Sequence, residues 1–344
     1  IEYQLRHGAW IEPTRQTISQ FLWAYLDGKT KISAATRAKH AIQIRLRIEP
    51  DLGGVQVREL QPGQVIAACH RWAASSPDGA QRAMMLLKAA YRQAVKRGAM
   101  LRNVMEMVEL PAEPAREVRF YRVEELPLLL AACERRQLWG PICAAAVLTG
   151  LRQGELLALR WSDVDLRRAK LTVNRSSAWH SGQGIVYGPP KTRKSRRTIS
   201  LLPEAVGVLE QQRRWQIERR QRAGLTWLQH EVGHENLVFT NRSGGPVHRD
   251  GLRDALRAIA RSAGLEPLHF HALRHTNATW QLQAGVPIKV VSETLGHATT
   301  SITLDVYCHV IPDMAGHYTH LLTQSLAVAA SSLTDMADGL TEAQ

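Results

Sequence analysis

The segment from Glu109 to Arg119 sets two prolines among charged residues, and it most constrains what this chain can fold into. Proline removes a backbone donor and pushes the preceding residue towards extended geometry, so neither a helix nor a central strand runs through it. Apolar residues recur at helical spacing before it, whereas helix and strand patterns alternate after it. A length of 344 residues suggests two domains, and 44% hydrophobic residues allow each its own core. The boundary is expected here, with 109–119 as an extended interdomain linker.

Ile1, Tyr3 and Leu5 alternate, so residues 1–12 read as a short strand or the remnant of another module. From 13 to 108 the pattern is helical. Ile18, Phe21, Leu22 and Tyr25 recur at i, i+3, i+4 and i+7, and Ser33 is placed to cap a second helix reaching Arg47. A third helix follows Pro62, and a fourth over Asp78–Arg97 carries Met84, Leu87, Tyr91 and Val95 on one side. An ordinary bundle with solvated lysines and arginines explains this segment as well as a nucleic-acid-binding one does.

Beyond the linker, Val123–Cys133 and Trp139–Thr149 read as helices, the second largely apolar and therefore buried. Gly150 can end that helix in a left-handed conformation. Strands are expected at Leu171–Asn174, Gly184–Tyr187 and Arg197–Leu201, with a further Val-Phe-Thr strand inside an insertion over Leu225–Pro246. Helices are expected at Pro203–Arg222, with five arginines, and at His248–Gly264, with Leu252, Leu256 and Ile259 as its core stripe. Pro287 opens a helix over Ile288–Leu295, which Gly296 ends; Thr299–Tyr307 forms another, and an apolar one lies near Tyr318–Ala330. The fold class is mainly α, with a small antiparallel β-sheet confined to the second domain.

The formal charge of +13 and a pI near 10.0 favour a polyanionic partner, although ribosomal and membrane-surface proteins are equally basic. Cys69, Cys133, Cys143 and Cys308 show no metal-binding spacing and fit a reducing, cytoplasmic setting. No apolar run approaches the 18 residues of a membrane span, and there is no secretory start.

The chemistry concentrates between His269 and Tyr307. His271 and Arg274 stand three apart on one helix face, His297 follows Leu295-Gly296, and Tyr307 lies ten residues further on. Two imidazoles, a guanidinium and a phenol suit a phosphate diester, because they bind its oxygens and supply an oxygen nucleophile. A second guanidinium stands upstream at Arg152 in Thr149-Gly150-Leu151-Arg152, with Glu155 three residues along to hold a basic side chain. Five basic residues in seven occupy Lys191–Arg197, with Lys191 and Lys194 among them, and a lysine on a hairpin tip there could reach a phosphate. A bland basic loop and a surface Arg–Glu pair are the commoner meanings of these two features taken singly. His269, His271 and His275 lack the His-Glu-x-x-His spacing and acidic partners of a zinc site, so no metal and no cofactor are expected, and His275 reads as structural.

In this order the motifs resemble the tyrosine recombinases of the phage integrase type. The matching residues are Arg152 in Thr-Gly-Leu-Arg-x-x-Glu-Leu, Lys191 in Pro-Lys-Thr, His271 and Arg274 in His-x-x-Arg-His, His297 in Leu-Gly-His, and Tyr307. The resemblance implies a helical core-binding (SAM-like) domain over 13–108 and a mixed α+β catalytic domain over 120–312, together forming a C-shaped DNA clamp. It also implies a tail, 313–344, whose helix docks on a neighbouring protomer. The implied reaction cuts and rejoins DNA strands through a 3′-phosphotyrosyl intermediate, integrating or excising a mobile element. In it Arg152 and Arg274 stabilise the charged phosphorane, helped by His271 and His297. His271 also accepts the proton of Tyr307, the nucleophile, and Lys191 protonates the leaving 5′-oxygen. The implied partners are double-stranded DNA, a homotetramer on two DNA sites, and accessory DNA-bending or directionality proteins, with no membrane. A type IB topoisomerase would share the residues but reseal the original strand; a non-catalytic DNA-binding protein would keep the fold alone. A basic RNA-binding protein would need an aromatic-rich strand that is not seen.

Overall fold

The structure is a computed structural model that describes residues 15–100, 102–109, 119–180, 184–190, 193–227, 236–297, 299–307, 323 and 326. The strand expected over 1–12 and most of the expected linker fall outside the described residues. So does the helix expected near Tyr318–Ala330, apart from Thr323 and Leu326. The chain divides between Arg116 and Glu117 into two compact units.

The first unit is helical: α1 (Ile18–Asp27), α2 (Ala34–Gln43), α3 (Glu49–Leu52), α4 (Pro62–Ser75) and α5 (Pro77–Lys96). Its helix starts follow from local chemistry. Thr17 and Gln20 cap α1 reciprocally, Ser33 accepts from the Thr36 amide at 3.2 Å, and α4 and α5 begin with prolines whose missing N–H has no partner to lose there. The helix expected to run on to Arg47 instead passes through a π-helical turn, Ile44–Ile48, in which the Glu49 amide donates to the carbonyl of Ile44. Pro50, just beyond, has no N–H with which to continue an α-ladder. Ile18, Leu22, Ile44, Ile48, Met84 and Leu87 are fully buried in this unit's core.

The second unit is built around α7 (Gly140–Thr149), in which every residue except Pro141 is buried. It follows α6 (Leu126–Glu134) and leads through Gly150 into the short α8 (Gln153–Leu157). Strands β1 (Val164–Asp165), β2 (Lys170–Val173) and β5 (Arg197–Ser200) form an antiparallel sheet, whereas β3 (Ser176–His180) and β4 (Gly184–Gly188) form a separate hairpin. Then come α9 (Pro203–Ala223), α10 (Arg249–Ser262), α11 (Phe270–Gln283), α12 (Ile288–Leu295) and α13 (Thr300–Tyr307). Helices α6, α9 and α11 all pack on α7, which explains its apolar sequence.

Two strand expectations change. β4 pairs with β3, which the sequence pattern did not reveal, and β5 pairs with β2, so the basic segment between β4 and β5 links two sheets rather than tipping one hairpin. Val238-Phe239-Thr240 is buried but is not a strand; only Leu237 makes a bridge, to Arg160. The side-chain amides of Gln212 and Gln216 take the carbonyls of Val238 and Leu237 that a neighbouring strand would have used.

Candidate active site

Four elements converge behind α7. Gly150 takes φ +64° at the end of that helix, a left-handed turn that glycine adopts without Cβ strain. A methyl group there would lie 2.5 Å from Asn277 Oδ1 and 2.8 Å from Leu295 Cδ2, so the turn sits tightly between α11 and α12. Asn277 holds the junction from the other side by donating to the carbonyl of Val147 at 2.9 Å. The turn delivers Arg152 as the N-cap of α8, and Glu155, three residues on, accepts from the Arg152 amide at 3.1 Å and from Nη1 at 2.8 Å.

Helix α12 ends at Gly296, also left-handed at φ +68°. Three arginines from three elements donate to the carbonyls of its last two residues and of the Gly296 cap. Arg197 Nε reaches Thr294 at 2.5 Å, Arg274 Nη2 reaches Leu295 at 2.7 Å, and Arg152 Nη2 reaches Gly296 at 2.9 Å. The C-terminal end of a helix carries partial negative charge from its unpaired carbonyls, so cations gather there favourably. Arg274 also donates to the carbonyl of Gly150 at 2.7 Å and joins the two glycine turns. Arg152 and Arg274 thus belong to one constellation although 122 positions separate them in the chain.

Glu155 is 2% exposed and bridges two of these cations, with Oε2 3.0 Å from Arg197 Nη2. Burial alone would raise its pKa. The Arg197 and Arg152 guanidiniums outweigh burial and hold it below the usual carboxylate range. Glu155 thus contacts two basic side chains, Arg152 and Arg197.

His297 follows Gly296 directly, and its Nδ1 lies 2.8 Å from the hydroxyl of Thr303 on α13. His269 caps α11 by accepting the Ala272 amide at 3.0 Å on Nδ1. His271 and His275 stand edge to face, with ring centroids 4.8 Å apart. Three of these rings are pushed down to about 4: His271 and His297 by partial burial and then by Arg274, and His275 by burial and then by His271. His271 lies at the surface, and partial burial and then its cationic neighbours act against its charged form. At about 4, all three rings are neutral near pH 7.

Of the expected residues, Arg152, Glu155, His271, Arg274 and His297 are brought together by the hydrogen bonds and electrostatic neighbours just described. Tyr307 ends the backbone of α13, four residues after Thr303, so the helix that fixes His297 is the one that carries the expected nucleophile. Lys191 lies outside the described residues; Lys194 falls in a single 3-10 turn, Arg193–Ser195, and is exposed. Sequence reasoning missed Arg197 and Thr303. Arg197 alternates with the buried Ile199 and Leu201, and that period of two was the available signal.

The model of the phage integrase family matches residues 119–313. The chain belongs to that family. A "tyrosine recombinase XerC-like" protein of Caldanaerobacter subterraneus subsp. tengcongensis is 33% identical over 240 residues, covering 66% of this chain and 61% of that protein. The chain therefore spans about three fifths of that relative's length. Among solved structures, the integrase of transposon Tn1549 in complex with a circular intermediate DNA matches with a TM-score of 0.75 at 18% identity, covering 89% of this chain and 99% of the other. A lambda integrase tetramer bound to a Holliday junction matches with a TM-score of 0.60 at 17% identity, covering 89% and 83%. At such identities these structures support the phage integrase fold: mostly helical, with small antiparallel sheets.

Proposed function

We propose that the chain is a site-specific DNA recombinase that cuts and rejoins strands through a 3′-phosphotyrosyl intermediate, for integration or excision of a mobile element. The observation that carries this reading is the convergence of Arg152, Arg274 and His297 on the end of α12, directly before the helix that ends at Tyr307.

Cleavage of a phosphodiester passes through a five-coordinate phosphorane that gathers charge on its non-bridging oxygens. Fixed guanidiniums suit that charge, because their forked N–H groups are oriented before the reaction starts. Arg152, 36% exposed, would offer its remaining N–H groups to these oxygens. Arg274, 2% exposed, would act from beneath the surface. His297 and His271 would add hydrogen bonds. A neutral His271 can also accept the phenol proton of Tyr307, whose ordinary pKa of about 10 otherwise opposes attack at neutral pH.

Tyr307 would attack phosphorus and release a 5′-hydroxyl, with Lys191 giving the leaving oxygen its proton. Because the phosphotyrosyl bond conserves the energy of the broken one, the 5′-hydroxyl of a second strand can displace the tyrosine and reseal. A homotetramer on two DNA sites would perform the exchange in pairs. The tetramer of lambda integrase on a Holliday junction supports that assembly. Accessory bending or directionality proteins would set its direction.

The test is trapping on a nicked suicide duplex that carries the element's own attachment site, in EDTA, followed by denaturing gels and peptide mapping. A covalent band mapping to Tyr307 is expected. Tight binding to a verified site with no covalent band would favour a DNA-binding protein that keeps the fold without the reaction.

A further inference from the structure

Arg197 points inwards from β5 and is 8% exposed at its side chain. Each of its three guanidinium nitrogens meets an acceptor of the protein. Nε donates to the Thr294 carbonyl at 2.5 Å, Nη1 to the Ser195 carbonyl at 3.0 Å, and Nη2 to Glu155 Oε2 at 3.0 Å. With all three nitrogens engaged by protein acceptors, Arg197 is committed to these internal contacts. Arg197 therefore differs from Arg152, whose side chain is 36% exposed.

These contacts join three parts of the site. Glu155 is the carboxylate that aligns Arg152, through both its amide and its Nη1. Thr294 lies in the last turn of α12, whose end sets the position of His297. Ser195 and Arg197 itself follow the basic segment that contains Lys191. Gly296 completes the fit, because a methyl group on its Cα would lie 2.8 Å from Arg197 Nη1. Only a planar fork spans Glu155 and Thr294 at once; a lysine carries one compact nitrogen and can satisfy one of them. Glu155 without Arg197 would be a buried carboxylate relying on Arg152 alone, free to draw that guanidinium towards itself and away from solvent.

We infer that Arg197 is a positioning residue for strand cleavage, holding Glu155 and the Thr294–Gly296 turn so that Arg152 is presented to the non-bridging oxygens of the scissile phosphate. The inference rests on the recombinase reading above. It predicts that losing Arg197 matters in proportion to the charge that Arg152 must neutralise.

The experiment compares the whole chain, Arg197→Lys and Arg197→Ala on two nicked duplexes at saturating concentration. One duplex carries the ordinary scissile phosphodiester. The other carries a methylphosphonate there, in which a methyl group replaces one non-bridging oxygen and the linkage is neutral. DNA affinity should stay within about threefold, while adduct formation on the phosphodiester slows by about tenfold or more in both variants. On the methylphosphonate the deficit should shrink to about threefold or less, since less charge develops for Arg152 to meet. An equal deficit on both substrates would make Arg197 a stabiliser of the fold and sink the inference; unchanged rates would do the same. Should the alanine variant melt below the assay temperature, the lysine variant, which keeps charge and most of the volume, decides by the same two substrates. Failure of the unaltered chain to form any adduct would overturn the recombinase reading itself.

Discussion

His297 Nδ1 lies 2.8 Å from Thr303 Oγ1, so the histidine that follows α12 is held by the helix that ends at Tyr307. Thr303 is 1% exposed, and its hydroxyl has little water to turn to in place of the ring. Thr303→Val keeps the shape and removes the hydroxyl. Unfolding free energy should fall by about 1–2 kcal/mol, the ordinary cost of leaving a partly buried polar partner unsatisfied. Adduct formation should slow several-fold with DNA affinity unchanged, because the register between His297 and α13 loosens. Denaturant melts and single-turnover trapping read the two effects, and Thr303→Ser should restore both.

The three depressed histidines give the chain a defined response to acid. His271, His275 and His297 sit at about 4 in the folded chain against an ordinary value of 6.5. Between those values the unfolded state binds more protons than the folded state, so stability falls as pH drops from about 6.5 to about 4 and levels off below. An anionic phosphate among the rings favours their charged forms and raises their pKa values. DNA binding near pH 5 should therefore take up protons, which calorimetry in buffers of differing ionisation enthalpy detects. Binding without proton uptake would place the phosphate away from these rings.

How much of this was readable beforehand divides along physical lines. Periodicity gave α1, α5 and α10 because each has one dominant packing direction, as Leu252, Leu256 and Ile259 show on α10, whereas α7 was legible as an unbroken apolar run. The glycine stops at 150 and 296 were readable for a similar reason, since backbone geometry there depends on a single residue. The strand β3, Ser-Ser-Ala-Trp-His, was not readable. Ser176 and Ser177 are half-buried and Ala178 and Trp179 exposed, so β3 carries no apolar alternation, whereas β4 has the β-branched and aromatic run Ile185-Val186-Tyr187. The site residues Arg152, His271, Arg274, His297 and Tyr307 were named from motif order. That order could not show that Arg152, Arg274 and Arg197 share the last two carbonyls of α12 and that of the Gly296 cap, because those acceptors are backbone atoms with no sequence signature.

Gly150→Ala tests the turn that delivers Arg152. Its φ of +64° costs an alanine about 1–2 kcal/mol, and the new methyl would meet Asn277 Oδ1 and Leu295 Cδ2 inside ordinary contact distance. Neither neighbour moves freely: Asn277 is tied to Val147 and Gln281, and Leu295 is 0% exposed in its own small core. The variant should lose more stability than the backbone strain alone, and cleavage should fall further than DNA affinity, because Gly150 also supplies the carbonyl that Arg274 uses. Gly98→Ala is the control, since φ is +72° there with nothing within 4 Å of the added methyl. Equal losses at the two positions would show that strain, and not the junction with α11 and α12, makes Gly150 matter.

The proposed mechanism gives the leaving oxygen its proton from Lys191, with Lys194 as the rival, and the leaving group offers a direct way to decide between them. An alkoxide leaves poorly without a proton, whereas a thiolate, the anion of a much stronger acid, leaves readily without one. Lys191→Ala should therefore cleave an ordinary duplex slowly, by about a hundredfold, the usual range for removing an acid catalyst. It should cleave a duplex with a 5′-thio leaving group as fast as the unaltered chain does. Lys194 lies exposed in a short turn three residues along, and Lys194→Ala should leave both substrates close to normal. If Lys194→Ala instead shows the thio-rescued defect and Lys191→Ala does not, the proton comes from Lys194. A defect in Lys191→Ala that the thio substrate fails to relieve would mean that this lysine binds DNA and gives no proton to the leaving oxygen.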